Sequence, residues 1–317
     1  MKFRITIKNS GKSSTFAPDM QIMFAPMQGY TDAVYRNAHA SLAGGVDCYF
    51  SPFIRIEKGQ VRGRDMRDIE SDSNVVPQII VNGTDEFNRL SDLICERGFS
   101  RIDINMGCPH PPQMNHGRGA GLLPCPDKVA ALMDAVKART ETSYSVKMRL
   151  GMLSPDECLA LLPILNDTPL KHITVHARTA KQMYRGLPQY DAFQAFLEQS
   201  ANPVIYNGAI TCAQDIRDIE SRFPKVCGVM IGQGLLARPC LAAEYRSGTT
   251  WPQERVERLV WQIHDHVFSH AKLTLQGDSQ ILARMQSFWQ PLENTIPRKL
   301  WKQLTKTGSL KNYESLS

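Results

Sequence analysis

The chain has 317 residues, of which 42% are hydrophobic and 21% are charged, and this composition is ordinary for a soluble globular protein. It contains no run of about 18 apolar residues, which argues against a membrane span, and its basic N-terminus lacks the apolar stretch of a secretory signal. The net charge of +6 is compatible with a polyanionic partner but does not require one, because many metabolic enzymes carry as much charge.

Residues 1–20 are polar and basic. The alternation of Phe3, Ile5 and Ile7 would allow a strand there. We nevertheless expect a poorly ordered tail, or an overlong gene start, in this N-terminal extension.

From residue 21 onward, short apolar runs recur at intervals that leave room for one helix between them. The runs are Gln21–Phe24, Asp47–Phe50, Val76–Val81, Arg101–Ile104, Tyr144–Met148, His172–Val175, Pro203–Tyr206 and Gly228–Ile231. This repetition predicts a (β/α)8 barrel, also called a TIM barrel, of the α/β class. A doubly wound sheet is the alternative, but it usually has fewer strands and a Gly-x-Gly-x-x-Gly turn, which does not follow the first run here.

Several features between the runs predict helices or breaks. We expect helix starts at Asp85 and at Ser154-Pro155, where a capping side chain or an initial proline is available. The highly charged segment from Arg55 to Asn74 lacks a clear strand, and we interpret it as a surface excursion after the second strand.

Gly, Thr and Pro interrupt the pattern near Ser247–Pro252. Beyond this boundary, the spacing of apolar residues predicts amphipathic helices over Glu254–Thr274, Ser279–Glu293 and Pro297–Thr305. The predicted organisation is therefore a barrel over residues 21–246 followed by a small helical bundle domain over residues 252–317.

The eight cysteines include no Cys-x-x-Cys pair and no accompanying histidine cluster. This pattern argues against both a zinc site and a disulfide scaffold. We expect no metal, a reduced cytoplasmic environment, and small buried side chains at most of these positions.

Cys108 is the exception, because it lies in the Gly- and Pro-rich run 105–123, just past a predicted strand. Such a turn packs poorly in a core, but it can hold one side chain over a pocket. Active sites of (β/α)8 barrels lie at the carboxyl ends of their strands, which is where this turn falls. A buried structural thiol is the alternative interpretation of Cys108.

The segment Asn105–Pro109, with Gly119-Ala120 and Leu122-Leu123 downstream, resembles the signature of the tRNA-dihydrouridine synthases. These are flavin enzymes that reduce uridines in tRNA. Further matches occur in the family's order at Ala25–Met27, Val146–Gly151, His176–Thr179, Asn207-Gly208 and Ile231-Gly232. The resemblance implies a barrel followed by a helical domain that cradles tRNA.

The resemblance implies FMN as the cofactor and NADPH as a transient reductant. A flavin needs a phosphate cradle and polar or positive groups along its ring, and the loops after the last two strands usually supply the cradle. The predicted cofactor-binding residues are Pro26, Met27, Gln28, Gln78, Lys147, His176, Asn207, Gly208, Ala209, Gly232 and Gln233. An isolated inward lysine or histidine is more often structural, but the convergence of several motifs on one barrel face favours a cofactor.

Reduction of the uridine C5–C6 bond needs a hydride from flavin N5 at C6 and a proton at C5 from the opposite face. By resemblance, Cys108 supplies the proton, and Asn105, Arg149, Arg178 and Arg284 face the substrate. The target base must leave its stack, which favours a loop uridine. The layout most resembles the bacterial C type, which acts at D-loop position 16.

The sequence departs from the family pattern at two positions of the expected phosphate site. Gln233 stands where members commonly carry arginine, and Ala209 stands where they carry an acidic residue. The lost charge predicts weaker FMN binding, for which Arg238 could compensate. The run Pro109–Pro112 also departs from the commoner Cys-Pro-Ser pattern, and we expect it to stiffen the loop.

Two alternatives remain open besides a monomeric tRNA-dihydrouridine synthase. One is an FMN-dependent small-molecule reductase of the dihydroorotate-dehydrogenase-like class, and the other is a non-catalytic tRNA-binding relative. Basic residues near the C-terminus favour RNA contact, although a solvated helix face is the simpler interpretation. These basic residues are Arg284, Arg298, Lys299, Lys302, Lys306 and Lys311.

Overall fold

A ring of parallel strands forms the centre of the protein in a computed structural model that describes residues 20–72 and 74–316. The strands are β1 (Gln21–Phe24), β2 (Cys48–Phe50), β3 (Ile56–Glu57), β4 (Gln60–Val61), β5 (Val75–Val76), β6 (Gln78–Ile79), β7 (Arg101–Met106), β8 (Ser143–Gly151), β9 (Ile173–Thr179), β10 (Val204–Asn207) and β11 (Gly228–Ile231). The main sheet has the order β5-β2-β1-β11-β10-β9-β8-β7-β6. Because β5 and β6 are adjacent in the chain, the two ends of this sheet meet and the barrel closes. The predicted (β/α)8 barrel is confirmed.

Pro77 explains why the predicted run Val76–Val81 becomes two strands. Proline has no N–H to donate to a ladder, so the pairing changes partner at this residue. Before it, β5 pairs with β2, and after it, β6 pairs with β7. The Pro77 carbonyl still accepts from the N–H of Asp103 at 2.9 Å, which keeps the strand continuous at the point where the barrel closes.

Helices surround the barrel and follow it. They are α1 (Ala33–Leu42), α2 (Gly63–Glu70), α3 (Thr84–Cys95), α4 (Pro111–Asn115), α5 (Pro126–Lys137), α6 (Glu157–Asn166), α7 (Tyr190–Gln199), α8 (Ala213–Arg222), α9 (Gln233–Ala237), α10 (Leu241–Ser247), α11 (Gln253–Thr274), α12 (Asp278–Trp289), α13 (Arg298–Lys306) and α14 (Leu310–Glu314). Short 3-10 turns occur at Gly119–Leu122 and Gln290–Leu292. None of these helices combines the length and apolar character that a bilayer crossing needs.

Three local predictions need correction. Helix α3 begins after Gly83, so Asp85 lies in its first turn, where a carboxylate favours the helix dipole, and is not its cap. Ser154-Pro155 forms the turn before α6, and the Glu157 carboxylate accepts from the N–H groups of residues 152–154 at 2.7–3.1 Å. The excursion over 55–74 contains the β3–β4 hairpin and α2, which buries two apolar side chains against the core.

The predicted extension over residues 1–20 lies outside the described residues, apart from Met20, whose side chain is buried. The expectations of a poorly ordered tail or a strand at Phe3, Ile5 and Ile7 therefore stay predictions.

The C-terminal helices pack around Trp289, which is fully buried. Its indole N–H donates to the Tyr313 hydroxyl at 2.7 Å, and that hydroxyl lies 2.7 Å from Nε2 of His264. Since an indole can only donate, the Tyr313 hydroxyl is left to donate to His264. This chain of bonds joins α11, α12 and α14, and α11 packs along α1 of the barrel.

Two adjacent glycines offer a matched test of the packing between the end of α1 and α10. Gly44 and Gly45 have φ values of +70° and +79°. A Cβ on Gly45 would lie 2.6 Å from the backbone nitrogen of Ala243, whereas a Cβ on Gly44 would have no neighbour within 4 Å.

We expect Gly44→Ala to lower the free energy of unfolding by about 1 kcal/mol, because alanine disfavours the left-handed conformation. Gly45→Ala should lower the free energy of unfolding by about 1–3 kcal/mol more than Gly44→Ala does, because its methyl group collides with the backbone of α10. Urea unfolding of the two variants measures the difference, and equal losses would contradict the close approach of α10.

Candidate active site

A cavity of about 430 Å³ opens at the carboxyl ends of the barrel strands, a size typical of ligand sites. It brings together residues that are far apart in the sequence. The predicted residues that line it are Pro26, Met27, Gln28, Asn105, Cys108, Lys147, Arg149, His176, Arg178, Asn207, Gly208, Ala209, Gly232 and Gln233. Gln78 and Arg284 do not line it.

The cavity wall is strongly cationic. It carries Lys147, Arg149 and Arg178, and none of its lining residues is an aspartate or glutamate. Lys147 donates to the side-chain oxygen of Asn207 at 2.8 Å, which leaves two of its three N–H groups for a ligand. Burial, together with the nearby Arg149, lowers the pKa of Lys147 to about 8. This donor set favours an anionic ligand.

His176 is neutral, because burial and the neighbouring cations hold its pKa well below the usual value. Its Nε2 lies 3.3 Å from Nη1 of Arg178. Since arginine can only donate, Nε2 accepts and the ring proton is assigned to Nδ1. The predicted hydrogen-bond donation by His176 therefore has to come from Nδ1.

A buried hydrogen-bond chain positions the loop that carries Cys108. The Asp103 carboxylate, which is fully buried, accepts from Ser145 at 2.5 Å and from the Gln78 amide at 2.7 Å. Burial raises the pKa of Asp103 to about 6. Gln78 in turn accepts from Nδ2 of Asn105 at 2.8 Å.

Asn105 connects this hydrogen-bond chain to the backbone of the loop. Its Oδ1 accepts from the N–H groups of Gly107 and Cys108 at 3.0 and 2.9 Å. Gly119, at φ +58°, packs on the other side, where a Cβ would lie 2.9 Å from Cβ of Cys108. The motif residues on both sides of Cys108 thus fix its position at the cavity. The prolines that follow it open the short helix α4.

The structure corrects two predicted contacts. Gln78 is completely buried and bonded to Asp103 and Asn105, so it supports the Cys108 loop instead of lining the cofactor cavity. Arg284 lies at the junction between the barrel and the C-terminal helices, where it donates to Asp32 at 2.9 Å. Its side chain is only 16% exposed, which argues against the predicted substrate contact.

Arg149 and Arg178 line the cavity, but they also hold its loops. Arg149 donates to the carbonyls of Gly107, Thr179 and Met183 at 2.7–3.0 Å. Arg178 donates twice to the carbonyl of Gly186. Their remaining N–H groups are what a ligand can use.

The structure gives no support to the suggestion that Arg238 compensates for Gln233. The guanidinium of Arg238 is bound by both carboxylate oxygens of Glu244 at 2.6 Å, and Arg238 does not line the cavity.

Sequence reasoning missed three aromatic residues that line the cavity, namely Tyr30, Phe53 and Tyr184. They follow β1, β2 and β9, so their position after a strand end is the signal that could have identified them. Tyr30 also donates to Gln290 at 2.8 Å, which links the cavity wall to the C-terminal helices. No group of three or more metal-ligating side chains occurs within the residues described.

Comparison with known proteins points to one enzyme family. The profile of the dihydrouridine synthase (Dus) family matches residues 23–314. A Bacillus subtilis (strain 168) protein named "Probable tRNA-dihydrouridine synthase 2" is 31% identical over 229 residues, which cover 68% of this chain and 69% of that protein. tRNA-dihydrouridine synthase B of Pasteurella multocida (strain Pm70) is 30% identical over 229 residues, which cover 70% of this chain and 67% of that protein.

Among solved structures, morphinone reductase resembles this fold with a TM-score of 0.50 and 11% sequence identity. The match covers 73% of this chain and 86% of that one. At this identity the likeness concerns the barrel fold alone.

Replacement of Asn105 tests the hydrogen-bond chain. We expect Asn105→Ala to leave the N–H groups of Gly107 and Cys108 without an acceptor, at a cost of about 1–3 kcal/mol. Hydrogen exchange at these two amides should become at least about tenfold faster. Asn105→Asp keeps the acceptor oxygen but loses the donor to Gln78, and it should therefore retain only part of the protection. Unchanged exchange in the alanine variant would contradict the positioning role.

Proposed function

This chain belongs to the dihydrouridine synthase family, and we propose that it reduces one uridine in the D-loop of tRNA to 5,6-dihydrouridine. The proposed cofactor is FMN, and the proposed reductant is NADPH. The observation that carries this proposal is the cationic cavity with Cys108 in its wall. The hydrogen-bond chain that begins at Asp103 holds the loop of Cys108 in this position. We further propose a monomeric, cytoplasmic enzyme and, by the resemblance to the C type, position 16 as the target.

The residues of the cavity fit a flavin mononucleotide. Three cations without a lining carboxylate suit its phosphate and the electron-rich edge of its ring. The turn at Asn207–Ala209 and the segment Gly232-Gln233 would hold the phosphate, whereas Pro26, Met27 and Lys147 would contact the ring. Bound flavin supplies the hydride for C6 of the uracil.

Cys108 is suited to give the proton to C5. Burial raises the pKa of its thiol, so the thiol is protonated at neutral pH, as a proton donor must be. The Asn105 side chain fixes the backbone that carries it. After the proton has left, the nearby cations Lys147 and Arg149 stabilise the thiolate.

The C-terminal helices supply a surface for the RNA backbone. Five basic side chains on or beside α13 and α14 are exposed, and none forms an ion pair among the described residues. They are Arg298, Lys299, Lys302, Lys306 and Lys311. Unpaired surface cations are the groups that bind phosphates with release of counterions. This surface supports tRNA over a small molecule as the substrate.

Incubation of the purified protein with NADPH and an unmodified tRNA transcript tests the proposal, with dihydrouridine measured by mass spectrometry. Flavin reduction without dihydrouridine would favour the small-molecule reductase. Binding of tRNA by a protein without flavin would favour the non-catalytic relative.

Replacement of Cys108 separates the two half-reactions. We expect Cys108→Ala to keep the reduction of flavin by NADPH but to lose dihydrouridine formation by about 10²-fold or more, because no group remains to protonate C5. Stopped-flow absorbance follows the first step, and single-turnover assays with tRNA follow the second. Retention of dihydrouridine formation would contradict the role of the thiol.

The pKa of Lys147 predicts the pH dependence of cofactor binding. A ligand that is anionic binds the protonated amine better, and the free protein loses this proton above about pH 8. We therefore expect FMN affinity to fall by up to about tenfold per pH unit above 8, until Lys147 in the complex also loses its proton. Lys147→Met should bind FMN weakly at pH 7 and should lose this dependence. Fluorescence titration measures both, and an equal slope in the variant would contradict the assignment.

The charge at position 233 can be restored. We expect Gln233→Arg to bind FMN about tenfold more tightly, which corresponds to about 1.4 kcal/mol, because a guanidinium forms charge-assisted bonds with phosphate. Gln233→Glu should weaken binding. Equal affinity in both variants would place the phosphate elsewhere.

A further inference from the structure

Two loops at the carboxyl ends of the barrel strands carry exposed apolar side chains that the reduction chemistry does not use. Among the described residues, the exposed large hydrophobic side chains are Leu153, Met183, Tyr184, Leu187 and Leu273, with exposed fractions of 43–85%. All except Leu273 lie on the two loops that follow β8 and β9. Those four residues, Leu153, Met183, Tyr184 and Leu187, form what we call the apolar rim. Single exposed hydrophobic residues are common, but a cluster beside a cavity indicates an interaction surface.

The two loops that carry the apolar rim are bonded to each other. The N–H of Ala180 donates to the carbonyl of Gly151 at 2.8 Å, and the N–H of Lys181 donates to that of Met152 at 3.0 Å. This pairing places the loop with Leu153 beside the loop that carries the other three residues.

The backbone of the second loop is held firmly from below. Arg149 donates to the carbonyl of Met183 at 2.7 Å, and Arg178 donates to the carbonyl of Gly186 at 2.8 Å. The N–H of Thr179 donates to the Gln182 side chain at 2.9 Å. Both arginines are buried. Burial of a charged side chain is costly unless it is hydrogen-bonded, and here the hydrogen bonds that satisfy the arginines also fix a loop. The apolar side chains therefore face outward from a defined backbone.

Met183 adds a sign of strain, because it has a φ of +51° although it is not a glycine. Such a conformation is unfavourable for a residue with a Cβ and persists where the surroundings impose it. In this conformation the carbonyl of Met183 accepts from Arg149 at 2.7 Å.

Tyr184 connects the apolar rim to the cavity, which it lines. The guanidinium carbon of Arg149 lies 5.5 Å from the centre of its ring, within the range of a cation–π contact. The His176 ring centre lies 6.1 Å away. The Tyr184 residue is nevertheless 52% exposed, so much of its surface remains available to a ligand.

The loop also has the charge pattern of a surface for single-stranded nucleic acid. Lys181 precedes Met183 and Tyr184, and Arg185 lies between Tyr184 and Leu187; both cations are exposed, and the segment 179–190 contains no acidic residue. Proteins that bind unpaired RNA interleave cations for the backbone with aromatic residues on which bases stack.

We propose that the apolar rim is a stacking platform for the unpaired bases that flank the target uridine, with Tyr184 contacting the nearest base. This inference rests on the proposed function, because it assumes an RNA loop as the substrate. The platform holds neighbouring bases apart while the target enters the cavity. It binds the substrate equally in the ground state and the transition state, so it acts on the KM for tRNA and not on kcat.

Two substitutions of Tyr184 separate stacking from simple burial. Tyr184→Leu keeps apolar area but removes the π-face, and stacking is worth about 1–3 kcal/mol per base. We expect the KM for an unmodified tRNA transcript to rise about 5- to 150-fold in the holoenzyme, with kcat unchanged. Tyr184→Phe keeps the ring and should bind tRNA within about twofold of the native protein. Leu273 is the exposed hydrophobic residue outside the rim, so Leu273→Ser is the matched control and should change neither the KM for tRNA nor kcat.

The outcomes are distinct. Equal KM values for Tyr184→Leu and the native enzyme, with dihydrouridine formed by both, would overturn the platform and leave the proposed function intact. A native protein that neither binds nor reduces tRNA would overturn both. A change from dimer to monomer in Leu187→Ser, without an effect on tRNA binding, would show that a second copy of the chain covers the rim. Flavin content and thermal unfolding of each variant establish that the site is folded.

Discussion

The site depends on one buried hydrogen-bond chain, which runs from Asp103 through Gln78 to Asn105 and ends on the backbone N–H of Cys108. Each member lies on or directly after a barrel strand, and the register that pairs Gln78 with Asp103 brings the first two together. A carboxylate buried without a paired cation is costly, and its raised pKa reflects that cost. Hydrogen-bond donors alone satisfy the Asp103 carboxylate. The same series of hydrogen bonds orients the Asn105 amide, which holds the Cys108 loop.

The second constraint is the shortage of negative charge around Lys147, Arg149 and Arg178. Such cations are normally paired, and here backbone carbonyls and Asn207 take part of that role. The same arginines that leave the cavity cationic also fix the loops at its mouth. Cofactor affinity and the shape of the substrate surface are therefore coupled through shared residues, so substitutions of Arg149 would affect both.

The sequence was sufficient to predict the barrel, since apolar runs recur at intervals that leave room for one helix, and most of these runs end at a recognisable motif. It also placed most residues of the cavity, because the carboxyl ends of parallel strands meet at one edge. It could not assign Gln78, because the pattern does not reveal that Asp103 and Asn105 occupy its amide. It misplaced Arg284 and Arg238 for the same reason, since Asp32 and Glu244 are their partners only in the folded chain. Tyr184 was missed because the pattern does not show which residue of the loop after β9 lines the cavity.

We propose that this chain forms dihydrouridine in the tRNA D-loop with Cys108 as proton donor. The most direct test maps dihydrouridine by position in the tRNA of cells that lack this gene, and of the same cells with the native or the Cys108→Ala gene restored. We expect loss of dihydrouridine at one D-loop position, recovery with the native gene, and no recovery with the variant. An unchanged map in the cells without the gene, or full recovery with Cys108→Ala, would contradict it.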